Sequence, residues 1–192
     1  DLTKHIKRGD RWIFADCFSK METTPSGLGI LKSKNDEVAL GIVQSDTQLR
    51  FRILQTSDDR FWKKGLFAES LNSFLAHQWS KAVALRSMYP HAETNSFRLI
   101  NGEGDGFPGL VIDIYFDTAV IKHDHPIMEE LWDRYAIARL ITQDFPRIGC
   151  VYYKRRNDDD SKGENLVGQL RSEVQFLENG VSFASNIRDA AK

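Results

Sequence analysis

Asn101-Gly102-Glu103-Gly104-Asp105-Gly106-Phe107-Pro108-Gly109 places three glycines at every second position. Loops with repeated glycines can turn backbone N–H groups toward a phosphate or cofactor, provided that the loop opens onto a helix. Here it runs into Leu110-Val111-Ile112-Asp113-Ile114-Tyr115, a strand pattern, and Glu103 and Asp105 would repel a phosphate. The segment is therefore expected to be a tight structural connection. His123 and His125 alternate on an extended stretch and would face the same side, as metal ligands sometimes do. No third ligand is close in sequence, so a satisfied or solvated pair without metal is expected. No serine stands in a nucleophile elbow, which leaves hydrolase chemistry without an anchor. Cys17 and Cys150 are the only cysteines, far apart and without a CxxC partner, and read as small core residues.

Two clusters combine cations with rings. Lys4, His5, Lys7, Arg8 and Arg11 precede Trp12 and Phe14, and Tyr152-Tyr153 runs into Lys154-Arg155-Arg156. Cations that meet phosphates beside rings that stack on bases are what an RNA surface needs. Lys7, Arg8, Arg11, Trp12, Lys154, Arg155 and Arg156 are the RNA-binding candidates. The bland alternative is a solvated charged surface beside core aromatics. A net charge of −1 over 192 residues gives RNA binding no global support, although local patches rather than totals meet phosphates.

The elements that must position these residues follow from periodicity. Gly29 to Leu31, Val38 to Val43 and Leu49 to Leu54 are short apolar runs separated by polar turns, which predicts a small β-barrel or curled sheet. At Asp58-Asp59 the period changes. Phe67, Leu71, Phe74, Gln78, Ala82 and Leu85 recur at three and four, predicting a helix over 58–88 ended by Pro90. A domain boundary is placed at its start. Leu110 to Tyr115 and Thr118 to Lys122 predict a hairpin turning at Phe116-Asp117. Pro126 opens a second helix at the first-turn position that tolerates proline. Gly149 to Tyr153 reads as a further strand. Val174 to Leu177 and Val181 to Ser185 flank Asn179-Gly180, a strong hairpin signal. No run approaches the ~20 apolar residues of a membrane span, and no export signal opens the chain. It starts on Asp, which suggests a trimmed or excised piece.

Three passages together resemble a known family. Gly9-Asp10-Arg11-Trp12-Ile13-Phe14 resembles the "GHPWVF" opening of large-subunit ribosomal RNA cytosine-5 methyltransferases. The stretch from Arg98 through the glycine loop to Asp113 is similar to that family's "RLVNGEGDGLPGLVVD". Glu178-Asn179-Gly180-Val181-Ser182-Phe183 is similar to its "ENGLKF". The resemblance implies a PUA-like RNA-binding domain, then a central α/β domain, then a Rossmann-like S-adenosylmethionine domain beyond Lys192.

The resulting expectation is an α+β chain. Residues 1–57 form a PUA-like RNA-binding β-barrel, residues 58–185 a central α/β domain of mixed strands and two helices, and residues 186–192 a stub, with the Rossmann-like methyltransferase domain absent. Its function would be to bind and orient ribosomal RNA for a cytoplasmic S-adenosylmethionine-dependent enzyme, without catalytic residues, metal or cofactor of its own. An interaction module that keeps the fold without RNA binding is the alternative, as is an enzyme complete in itself; homo-oligomerisation stays open.

Overall fold

Backbone pairing in the computed structural model, which describes residues 2–18, 25–89, 92–154 and 163–190, gathers the strands into three sheets. The chain divides into two compact units. One is Asp1–Trp79 with Glu103–Pro108; the other is Ser80–Gly102 with Gly109–Lys192.

In the first unit a short helix α1 (Leu2–Lys7) precedes β1 (Trp12–Phe14), β2 (Gly27–Ser33), β3 (Asp36–Val43) and β4 (Leu49–Thr56). The sheet order is β1-β4-β3-β2, all antiparallel, and β1 and β2 are not paired with each other. Of the barrel or curled sheet expected from sequence, pairing among the described residues gives an open sheet. Its core is Ile13, Leu31, Ala39, Phe51 and Ile53, two from the same face of β4 and one from each of the other strands.

Helix α2 (Phe67–Arg86) starts nine residues later than the apolar period suggests. Asp59 Oδ1 accepts a hydrogen bond from the Phe61 N–H at 2.8 Å, and Gly65 takes φ +78, so residues 57–66 turn instead of coiling. The buried line of α2 is Ser70, Phe74, Trp79, Ala82 and Arg86, whereas Leu85 is exposed. Two polar residues lie inward because each has a partner. The Ser70 hydroxyl lies 2.8 Å from Gln55 Oε1, and Arg86 Nε donates to the Arg98 carbonyl at 3.0 Å. Between Trp79 and Ser80 the chain passes from the first unit to the second.

The second unit carries β5 (Ser96–Asn101), β6 (Leu110–Tyr115), β7 (Thr118–His123), β8 (Cys150–Lys154) and β9 (Glu164–Val167) in that spatial order. The β6–β7 hairpin turns at Phe116-Asp117, with Phe116 at φ +55. Strand β8 runs parallel to β7, and two helices, α3 (Pro126–Leu131) and α4 (Arg134–Asp144), form the connection. The single helix expected after Pro126 breaks at Asp133, whose carboxylate accepts from the N–H groups of Tyr135 and Ala136 and so starts α4. This strand–helix–strand crossover is the unit from which Rossmann-like sheets are built. The sheet carries one such crossover, between β7 and β8, and its other pairings are antiparallel.

Strands β10 (Val174–Glu178) and β11 (Val181–Ser185) form the expected hairpin, followed by α5 (Ile187–Ala190). Asn179 and Gly180 both take positive φ, at +51 and +77, as a two-residue type I′ turn requires. Among the described residues no helix is long and apolar enough to cross a membrane.

Candidate functional site

Strands β5 and β6 set Arg98 opposite Asp113. Arg98 Nε donates to Asp113 Oδ1 at 2.8 Å and Nη2 donates to Oδ2 at 3.3 Å, a two-pronged ion pair. Lys122 Nζ, from β7, lies 3.6 Å from the same carboxylate. The hydrogen bond to Asp113 raises the Arg98 guanidinium above its ordinary value, against the opposing effect of burial. Burial, and next the Asp113 charge, pushes the Tyr115 phenol up. Around the pair opens a groove of about 430 Å³, lined by Arg86, Tyr89, Phe97, Asn101 and Glu178 among others. The Tyr89 and Phe97 rings stack with centroids 5.6 Å apart and planes 30° apart. The groove thus joins ring faces to donors and acceptors whose formal charges, from Arg86, Arg98, Asp113 and Glu178, cancel.

A second polar cluster lies at the end of β7. The His123 imidazole is buried, its Nδ1 is 3.1 Å from the Tyr153 hydroxyl, and its Nε2 has no hydrogen-bond partner. Burial lowers its pKa to about 4, so the ring is neutral at pH 7. The Arg134 guanidinium lies over the Tyr153 ring, and its Nε donates to Glu164 Oε2 at 3.0 Å. His125, by contrast, caps α3, its Nδ1 accepting from the Ile127 N–H. The two histidines are thus used separately, and among the described residues no three metal-ligating side chains gather. Cys150 is buried and its thiol pushed up by that burial, the opposite of what a nucleophile needs.

The glycine loop is a 3-10 turn over Gly102–Asp105 that leads into β6. Glu103 faces a cation: Arg52 Nη1 donates to its Oε1 at 2.9 Å, and Arg52 Nε donates to Gln44 Oε1 at 2.8 Å. Gly106 and Gly109 take φ +83 and +71. A side chain at Gly109 would also meet Asp124 Oδ1 at 2.5 Å and Met128 Cγ at 2.7 Å.

Of the RNA-binding candidates, Arg8, Arg11 and Trp12 lie in the first unit, where Trp12 stands opposite Arg52 of β4. Arg8 is exposed and Trp12 is 49% exposed on the edge strand β1. Lys7 ends α1. Lys154 belongs to the second unit, where its ammonium donates to the carbonyl oxygens of Ile187 at 3.4 Å and Arg188 at 2.6 Å. Arg155 and Arg156 lie outside the described residues. Sequence reasoning did not single out Tyr89, Arg98, Asp113 or Glu178. The available signal was that Arg98 and Asp113 bracket the glycine loop at the two strand positions a hairpin would oppose.

No family model matches the chain. It is 27% identical over 206 residues to a ribosomal RNA large subunit methyltransferase of Deinococcus radiodurans, covering 98% of this chain and 48% of that protein. To ribosomal RNA large subunit methyltransferase I of Alteromonas mediterranea it is 26% identical, covering 98% and 47%. A shorter match, 34% identical over 123 residues, covers 59% of this chain and 30% of the Shewanella denitrificans methyltransferase I. The chain spans about half the length of the curated relatives it matches. Among solved structures, a candidate S-adenosylmethionine-dependent methyltransferase from Streptococcus mutans matches 94% of the chain with TM-score 0.69 and 21% identity, over 45% of its own length. SMU.776, a candidate methyltransferase in complex with S-adenosylhomocysteine, matches 95% with TM-score 0.71 and 19% identity, again over 45% of its length.

These likenesses overturn three expectations. The expectation that a Rossmann-like methyltransferase domain is absent from the chain is corrected, because 94–95% of the chain superposes on the two candidate methyltransferase structures, over 45% of their own length. The non-catalytic RNA-orienting portion, and with it the bare interaction module, gives way because 98% of the chain aligns with proteins named as methyltransferases. The expectation of a chain without cofactor is withdrawn as well, since one matched structure holds S-adenosylhomocysteine.

Proposed function

We propose that the protein containing this chain transfers a methyl group from S-adenosylmethionine to large-subunit ribosomal RNA, at C5 of a cytosine. The observation that carries this reading is the alignment of 98% of the chain with ribosomal RNA large subunit methyltransferases. The cytosine-5 position rests on the resemblance of the segment Arg98 to Asp113. Residues 1–57 act in this reading as a PUA-like RNA-binding domain, with Arg8, Arg11 and Trp12 as its contact residues, and residues 58–185 as the central α/β domain. Lys7, Lys154, Arg155 and Arg156 remain phosphate-contact candidates. When bound, S-adenosylmethionine supplies an electrophilic methyl on a sulfonium. The groove beside Arg98 and Asp113 fits the adenosine half of that molecule in size and in its mix of ring faces and polar groups. Among the described residues no loop of repeated glycines opens onto a helix, so no residues are assigned to the charged amino-acid end.

The test is incubation of the protein with radiolabelled S-adenosylmethionine and unmodified large-subunit ribosomal RNA, followed by nucleoside mass spectrometry. Labelled 5-methylcytidine is the expected product. Label in another nucleoside would sink the cytosine assignment alone, and no incorporation would sink the reading.

A further inference from the structure

We propose that the groove between Tyr89 and the Arg98–Asp113 pair is a nucleoside-binding site, with the base laid on Tyr89. One face of Tyr89 is stacked on Phe97, yet the residue stays 45% exposed. That leaves a rigid, backed aromatic platform, the arrangement on which nucleobases stack irrespective of sequence.

Charge decides the class of ligand. One lining cation, Arg98, is already paired with the Asp113 carboxylate through two hydrogen bonds. Arg86 and Glu178 add one charge of each sign to the lining. Lining residues whose formal charges cancel give a free phosphate or a metal ion little to hold, and Lys122, 3.6 Å from the Asp113 carboxylate, is not part of that lining. The groove favours a neutral planar group rich in donors and acceptors. Glu178 offers acceptors for ribose or exocyclic amine hydrogens, beside the Asn101 amide, whose Oδ1 accepts from Arg98 Nη1 at 3.4 Å. The volume of about 430 Å³ lies within the roughly 300–1,000 Å³ of small-molecule sites.

Adenosine of the cofactor and an unpaired nucleotide of RNA present the same chemistry, and this choice of sources rests on the methyltransferase reading above. The experiment separates them. Binding of adenosine, S-adenosylhomocysteine and a fluorescein-labelled, unstructured 12-nucleotide RNA is measured for the chain and for Tyr89→Ala, Tyr89→Phe and Glu178→Gln. Loss of the platform is expected to weaken binding about five- to one-hundred-fold, the range for removal of one base–aromatic stack. Tyr89→Phe, which keeps the ring, is expected to stay within about twofold. Adenosine and S-adenosylhomocysteine competing for one Tyr89-dependent site supports the cofactor as source. RNA bound with the same Tyr89 dependence, and displaced equally by either nucleoside, supports RNA. Should Tyr89→Ala fail to fold, Glu178→Gln on the exposed rim carries the test and is expected to weaken binding several-fold. No nucleoside binding at millimolar concentration, or unchanged affinity in folded Tyr89→Ala or Glu178→Gln, overturns the proposal. Nucleoside binding intact in a protein that methylates no RNA overturns only the enzymatic reading.

Discussion

Arg98 and Asp113 face each other across β5 and β6, joined by hydrogen bonds of 2.8 and 3.3 Å, with the carboxylate buried and the guanidinium half exposed. They are the first and last residues of the segment that contains the glycine loop, and the pairings Ile100 with Ile112 and Asn101 with Val111 lie between them and the loop. Replacing Arg98 by Ala would leave Asp113 with Lys122 as its remaining cation, 3.6 Å away. Urea denaturation of Arg98→Ala is expected to show a loss of about 1–3 kcal/mol, the cost of depriving a buried charged group of its main partner. A loss below about 0.5 kcal/mol would mean that Lys122 and water suffice.

Gly109 combines φ +71 with a neighbourhood that has no room for a methyl group, since Asp124 and Met128 would both have to move. Gly109→Ala is therefore expected to cost more than the roughly 1–3 kcal/mol of left-handed strain alone. Gly106→Ala, at φ +83 and facing only the flexible Gln78 side chain at 3.0 Å, is expected to stay within that range. Comparison of melting temperatures decides it, and equal melting of both variants with the parent would remove the strain argument.

His123 ties stability to pH. Its pKa is about 4 when folded and near 6.5 when unfolded, so the unfolded chain binds more protons between those values. Its contribution is complete above about pH 6.5, is lost as pH falls toward 4, and is flat below that; the whole span is worth about 3–4 kcal/mol. Denaturation midpoints measured from pH 7 to pH 4 are expected to fall less steeply in His123→Gln. Parallel curves for the two proteins would show that other groups dominate the acid limb.

Phe74 sits in the buried line of α2 at 2% exposure. Phe74→Ala is expected to cost about 3–5 kcal/mol, as truncating a buried phenylalanine does. A cost below about 1 kcal/mol would mean that its surroundings collapse into the space.

Arg8 and Arg11 precede exposed Trp12 in the chain, and Arg52 is its partner on β4. If Arg8 and Arg11 meet phosphates, their joint replacement by Ala is expected to flatten the slope of log affinity against log salt by up to about 1.5. Sequence preference is expected to change little, because phosphate contacts position RNA without reading it. An unchanged slope would place the RNA surface elsewhere.

Local chemistry was legible without coordinates. The Asn179-Gly180 and Phe116-Asp117 hairpins stand where turn residues between alternating strands put them, because a two-residue turn is specified by its own φ preferences. The existence of α2, and the strand after the glycine loop, follow likewise from periodicity within one segment. Pairing between distant segments was not legible. Strand β8 lies parallel to β7 across a helical crossover, and nothing in Cys150–Lys154 names its partner. The inward turn of Ser70 and Arg86 on α2 likewise depends on Gln55 and on the Arg98 carbonyl. Hydropathy alone assigns such residues to solvent, and only an acceptor delivered by another element makes their burial affordable. The same holds for the groove. Tyr89, Arg98, Asp113 and Glu178 come from a helix end and three strands, and tertiary structure alone decided that they share one wall, because sheet register, not sequence distance, sets which side chains meet.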